Sequence, residues 1–178
     1  IVCGYGRMGR ALCIHLIQRY IDVVVIEQNP KRAPVMDEDG ILYIVGKATD
    51  EAVLMKTGIK RARGIVSVLG TDADNVFLVL IAKGLNPDIF VVARANENAT
   101  EKTLYTAGVD KVVSPYALGA RRMAHAILRP TVIHFLELAF ADESTDIHVE
   151  EFLVSASSKL VNVPLQESGL RQGLNLII

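Results

Sequence analysis

A doubly wound α/β fold is predicted by three observations. Six short, apolar, β-branched runs recur between residues 1 and 113, helical patterns separate them, and Gly4, Gly6 and Gly9 stand where the first run passes into the first helix. Runs this uniformly apolar suit a parallel sheet covered on both faces. Strict alternation of strand and helix gives a six-stranded sheet, most simply in the order 3-2-1-4-5-6.

The strands are predicted at residues 1–3, 22–26, 42–45, 64–69, 89–93 and 111–113. The helices between them have readable ends. Gly58, Gly84 and Gly108 each follow a helical stretch, where a left-handed residue is wanted to close the last turn. Pro30 fits the first turn of the second helix, and Pro34 delays or distorts it. After Pro115 the rhythm changes. Residues 116–128 read as a helix with Ala120, Met123, Ala124, Ile127 and Leu128 on one side. Pro130 interrupts, and residues 131–140 read as a second helical piece. The pattern alone leaves two readings open, packing on its own domain or crossing to another subunit. Residues 141–146 read as a polar, acidic linker. Beyond them, residues 147–156, 159–163 and 174–178 are strand-like and 166–173 a turn or short helix, the start of a small second α+β subdomain. Three segments result: 1–115, 116–146 and 147–178.

Bulk properties narrow the function classes. The 178 residues carry 51% hydrophobic residues and a formal net charge of −1, so disorder is excluded and no basic excess points to nucleic acid. No apolar run is long enough to span a bilayer. Cys3 and Cys13 are read as buried, reduced thiols, which suits the cytoplasm. Both ends lie inside strand patterns, so the chain is expected to be a piece of a longer one.

The spacing of Gly4, Gly6 and Gly9 fits the dinucleotide fingerprint of a Rossmann-like domain. The first allows the tight turn, the second close approach of a pyrophosphate, and the third close helix–strand packing. The N–H groups of Arg7, Met8 and Gly9 are then expected at the positive end of the first helix. Glu27 closes the second strand about 20 positions downstream, where a carboxylate accepts the adenosine ribose hydroxyls and repels a 2′-phosphate. Lys47 and Ala48 follow the third strand; Lys47 is open between an exposed lysine and a phosphate contact. Asp50 is read as the cap of the helix starting at Glu51. The acids at Asp72 and Asp74 are read as helix-start stabilisation rather than a metal site. Arg94, after the fifth strand, is a candidate phosphate or carboxylate partner. No catalytic set is found: His15, His125, His134 and His148 fall away from the sheet's carboxyl edge, and none has metal-ligand spacing.

The motifs CGYGRMGR, VVVIEQNP, GKATDEAVLMKTGI, VLGTDADNVFLVLIAKGLNP, ARANENATEKTLYTAGVDKVVSP and NVPLQESGLRQGLNLII resemble, in that order, a regulator of potassium conductance (RCK) or Trk-type nucleotide-binding domain. With HFLEL and HVEEF added, the chain most resembles those fused to prokaryotic potassium channels; an independent Trk-type subunit and a Kef-type antiporter are the alternatives the resemblance leaves open. The resemblance implies a cytoplasmic, non-enzymatic sensor of NAD or NADH, with ADP or ATP as alternatives. It implies a homodimer through crossover helices at 116–140, a possible larger ring, and a potassium channel or transporter membrane domain as partner. Gly4, Gly6, Gly9, Glu27 and Arg94 match the family's nucleotide motif. Lys47 departs from it, because many members have Asp there. This favours a ligand with more phosphate charge. The calcium-binding carboxylates of some relatives have no counterpart in ARANEN, so no metal is expected. An excised part of an NAD-dependent oxidoreductase is the rival class, and a vestigial dimerising domain the third.

Overall fold

The computed structural model describes residues 1–128, 154–155, 157–164 and 167–168. Six parallel strands, β1 (Val2–Cys3), β2 (Val24–Glu27), β3 (Leu42–Val45), β4 (Gly64–Ser67), β5 (Phe90–Arg94) and β6 (Lys111–Val113), form one sheet. Their order is β3-β2-β1-β4-β5-β6, as the sequence predicts. Chain direction across the sheet therefore reverses beside β1, which pairs Cys3 with Ile26 on one side and with Ser67 on the other.

Side-chain alternation along the strands divides the core in two. Val2 and Val25 pack with Tyr5, Cys13, Met36 and Ile41, the layer covered by α1 (Arg7–Gln18) and α2 (Ala33–Glu38). Cys3 and Ile26 face the other way, among Leu54, Ile65, Leu78, Val91 and Leu104. That layer holds α3 (Glu51–Lys56), α4 (Asp72–Leu85) and α5 (Asn98–Thr106). Both cysteines are buried and free, and burial pushes the Cys3 thiol up to about 12 and the Cys13 thiol to about 11. Neither is a thiolate at neutral pH, which fits a packing role.

Local chemistry sets the helix ends. Asp50 caps α3 by accepting from Ala52 N at 2.8 Å, and Thr71 caps α4 by accepting from Asp74 N at 3.1 Å. Pro30 opens a 3₁₀ turn that runs into α2, and Pro34 sits in that helix's first turn, where its missing N–H costs nothing. Gly58 and Gly108 have φ of +76° and +98°, so both do close helices in the left-handed region. Gly84 does not. It lies inside α4, which continues to Leu85 and ends at Asn86 with φ −147°. Pro87 follows, and a residue before proline is driven to extended backbone. The proline, not the glycine, stops this helix.

The last described helix of this region, α6, spans Pro115–Leu128. The chain divides into two compact units, Ile1–Ala124 and His125–Ile178. In the second, residues 159–162 are turns where a strand at 159–163 is expected, with Ser158 N bonding Ser155 O at 2.9 Å, Val161 N bonding Ser158 O at 3.2 Å, and Asn162 at φ +62°. Serine hydroxyls satisfy the local backbone there, as when Leu160 N donates to Ser158 Oγ at 3.2 Å, and the alternation of apolar residues is overridden. Glu167 N and Ser168 N donate to Pro164 O; the rest of the stretch read as a turn or short helix, 166 and 169–173, lies outside the described residues. The expected second helical piece, the linker and the strand at 174–178 lie outside the described residues. Among those described, no helix is long and apolar enough to cross a membrane.

Candidate functional site

The reversal of chain direction beside β1 leaves a crevice at the carboxyl ends of the strands, where open α/β sheets take their ligands. A cavity of about 260 Å³ lies there. Six of the predicted residues line it: Gly4, Gly6, Glu27, Lys47, Ala48 and Arg94. Arg7, Met8 and Gly9 are not among its lining residues; they form the first turn of α1.

The three glycines carry three different constraints. Gly4 has φ +101°, and a Cβ there would stand 3.0 Å from Val68 O. Gly9 is packed so closely that a Cβ would lie 1.9 Å from Gly4 O, fixing the start of α1 against the turn. At Gly6 a Cβ would meet nothing within 4 Å. Its requirement comes from the cavity it lines and not from the fold. Gly6 is also the N-cap of α1, supplies no side-chain acceptor, and is followed by no acid in the first turn. The opening N–H groups of α1 are consequently uncompensated by any capping side chain.

Glu27 is 8% exposed at the end of β2. One carboxylate oxygen accepts from Tyr5 N at 2.6 Å and the other from Asn29 N at 2.8 Å. The residue thus ties the glycine turn to the end of β2 while its carboxylate lines the cavity. Each oxygen has lone-pair capacity beyond one bond, so hydroxyl donors from a ligand can be added. The same turn is braced from outside by a group that sequence reasoning missed. Tyr5 donates its hydroxyl to Asp39 at 2.5 Å, and Arg10 grips both oxygens of Asp39 at 2.7 and 2.8 Å. The Arg10 guanidinium first, and the Tyr5 hydroxyl second, hold the Asp39 carboxyl below its ordinary range.

Across the crevice, Asn75 anchors the loop after β4. It is fully buried, accepts from Ser67 Oγ at 2.6 Å and from Leu69 N at 3.0 Å, and so shapes the wall formed by Val68, Leu69 and Gly70. Asp72 reaches from the start of α4 to the loop after β5. It accepts from Asn96 N and Nδ2 at 2.8 Å each and from Glu97 N at 3.0 Å. Sequence reading gave this residue only a helix-start role; its partners lie 24 and 25 positions away. Arg94 ends β5, donates to Asn96 Oδ1, and has a buried Nε with no hydrogen-bond partner. Arg32 is a third cation on the cavity, beside Lys47 and Arg94, and sequence reading passed over it. Against these three stand the carboxylates of Glu27 and Asp74. His15 and His125 lie in α1 and α6, away from the lining; His134 and His148 lie outside the described residues. Among the described residues no three His, Cys, Asp or Glu side chains are grouped to share a metal ion.

Sheet order, glycine turn and terminal carboxylate define a Rossmann-like module of the dinucleotide-fingerprint type. The chain belongs to the TrkA-N domain family, whose model matches residues 1–115. It is 38% identical over 178 residues to the probable potassium channel protein 2 of Methanocaldococcus jannaschii, a match covering 96% of this chain and 52% of that protein. The GsuK RCK domain crystal structure superimposes with a TM-score of 0.64 at 31% identity, covering 78% of this chain and 29% of that one. GsuK bound to ADP gives a TM-score of 0.64 at 32% identity, over 71% and 32% of the two chains. The GsuK channel bound to NAD gives 0.58 at 29% identity, over 63% and 20%. The resemblance to RCK domains is thereby shown. The chain spans about half the length of the first curated relatives it matches.

Proposed function

We propose that this chain is the cytoplasmic ligand-sensing part of a potassium channel or potassium transporter, binding NAD(H) or an adenine nucleotide without altering it. The observation that carries the reading is one cavity shared by the Gly6 cradle, the buried Glu27 carboxylate and the Arg94 guanidinium. Two structural neighbours support it, GsuK bound to ADP and the GsuK channel bound to NAD. In this reading the backbone at Gly4 and Gly6, with the first N–H groups of α1 at Arg7, Met8 and Gly9, holds phosphate oxygens. Glu27 accepts ribose hydroxyls. Ala48 and Lys47 border the adenosine side, where Lys47 adds a cation suited to a phosphate-rich ligand. Arg94 neutralises phosphate from the β5 side.

The fit is tested by Gly6 and Arg94 themselves: a position open to a Cβ that the fold leaves as glycine, and a buried guanidinium nitrogen lacking an acceptor. Pairing through α6 is supported by its exposed apolar side chains, with Met123 at 72%, Ile127 at 82% and Leu128 at 74% exposure. Coupling to a gate then requires only that the ligand prefer one dimer geometry; its affinity ratio between geometries sets the limit of the shift.

Calorimetric titration with NAD, NADH, ADP and ATP, beside Gly6→Asp, tests this. Saturable binding of at least one ligand is expected, with the ligand recovered unchanged and binding lost in the variant. Absence of binding by all four, or turnover of any, defeats it.

A further inference from the structure

Arg94 is held by few contacts for a cation on a binding cavity. One terminal nitrogen donates to Asn96 Oδ1, and Nε is buried with no partner. The third contact is aromatic. The guanidinium carbon lies 5.8 Å from the ring centroid of Tyr116, within cation–π range. Asn96 is itself fixed by Asp72, which accepts from both its N and Nδ2 at 2.8 Å. Tyr116 is fixed from the other side. It occupies the first turn of α6, where Leu118 N bonds Ser114 O at 3.0 Å and Ser114 Oγ donates to Glu101 at 2.9 Å. The Tyr116 ring does not line the cavity and is 69% exposed. Burial of its own surface therefore does not explain its place.

We infer that Tyr116 is a positioning residue for anion recognition: its ring holds the Arg94 guanidinium against the cavity and links a phosphate bound there to the first turn of α6. The inference rests on the nucleotide-binding reading above. Without the ring, Arg94 is steered by Asn96 alone, and its freedom must be given up when the anion binds. A contact of this kind at an exposed site corresponds to about a 2- to 5-fold change in affinity. Linkage makes the effect reciprocal, so an anion on Arg94 steadies the Tyr116 contact to the same extent. The route is short and physical. Arg94 ends β5, its backbone partner in the register is Val113 of β6, and α6 begins two residues later at Pro115.

The test measures ADP and adenosine binding to the 178-residue chain by calorimetry, in the wild type, Tyr116→Leu, Tyr116→Phe, Arg94→Gln and the Arg94→Gln/Tyr116→Leu double variant. Tyr116→Leu is expected to weaken ADP about 2- to 5-fold and to leave adenosine unchanged. Tyr116→Phe keeps the ring and restores wild-type affinity. In the Arg94→Gln background the leucine has no further effect. Amide exchange in the first turn of α6 slows with ADP in the wild type and not in Arg94→Gln. Equal weakening of ADP and adenosine, failure of phenylalanine to rescue, or additive losses in the double variant would overturn the inference while leaving nucleotide binding intact. A wild type that binds NAD or NADH but not ADP overturns this inference alone, and one that binds none of NAD, NADH, ADP and ATP removes the nucleotide reading as well.

Discussion

Replacing Gly9 and Gly6 separately by alanine divides what the glycine turn does for the fold from what it does for the ligand. At Gly9 the new Cβ would stand 1.9 Å from Gly4 O and 3.0 Å from Gly4 C. That is roughly 1.5 Å short of ordinary contact, and the atoms met are backbone, which cannot rotate away. Overpacking of this sort costs about 1–3 kcal/mol, and a rigid backbone target puts it at the upper end. Alanine regains about 1 kcal/mol of helix propensity in α1. A net loss of about 2 kcal/mol follows, or about 4–8 °C in melting temperature for a chain of this size. At Gly6 the Cβ meets nothing, and φ −73° with ψ −171° suits any residue. Its weaker N-cap and its reduced unfolded-state entropy oppose each other, so stability changes by about 0.5 kcal/mol or less. The methyl group does intrude where phosphate oxygens approach the backbone. ADP affinity is expected to fall at least about tenfold, equivalent to 1.4 kcal/mol. Thermal melts and calorimetry on both variants give the answer. A Gly9→Ala protein as stable as wild type, or a Gly6→Ala protein that binds ADP normally, refutes the division of roles.

Glu27→Ala leaves the Tyr5 and Asn29 N–H groups without their acceptor, so urea denaturation should show a loss of about 1–3 kcal/mol; the same variant should narrow the preference for NAD over NADP, because the carboxylate that repels a 2′-phosphate is gone. Asp39 has a depressed folded-state pKa, hence its stabilisation is full above its ordinary value of 3.8 and is lost as pH falls through the lower folded value. Unfolding midpoints between pH 7 and pH 3 should decline less steeply for Asp39→Asn than for wild type, and parallel curves would discount the Arg10–Asp39–Tyr5 brace. Charging the exposed α6 face with Met123→Glu and Ile127→Glu should turn a dimer into monomers in sedimentation velocity, with the melting behaviour of the α/β layer kept. A wild type that sediments as a monomer at every concentration would remove the pairing.

The parts of the fold that were legible in the sequence are those set by neighbours along the chain. Buried parallel strands announce themselves because both faces must be apolar, and the observed β3 and β6 coincide with the runs at 42–45 and 111–113. The glycine spacing was legible for the same reason, each glycine answering a local demand of one turn. What stayed hidden was the work of polar side chains whose partners come from other loops. Asp72 and Asn75 look like ordinary helix-start residues, yet one clasps the loop after β5 and the other is buried against Ser67. Asp39 meets Tyr5 and Arg10 across 34 and 29 positions, a closure no local pattern encodes. The structure departs from the sequence pattern where two local signals conflict: the Asn86-Pro87 pair, not Gly84, ends α4, and the serine-rich turn outweighs the apolar alternation at 159–163.

Charge placement around the crevice gives the strongest physical reason for an anionic ligand there. Helices α3, α4 and α5, which follow β3, β4 and β5, each carry an acid in the first turn, as helix starts commonly do. Helix α1, like α2 and α6, has none, and it begins with a bare glycine N-cap. An uncompensated helix start is tolerable on a surface, where water answers it. Here it stands behind a cavity that also receives Arg32, Lys47 and Arg94, three cations against two carboxylates. One of those carboxylates, Glu27, is already committed to two backbone N–H groups and offers only its remaining lone pairs. The site is thus short of acceptors at the glycine turn and at β5, and supplies one at the end of β2. A molecule with phosphate oxygens at one end and paired hydroxyls at the other satisfies both needs; an apolar ligand satisfies neither, and a cationic one leaves the glycine turn and β5 without an acceptor.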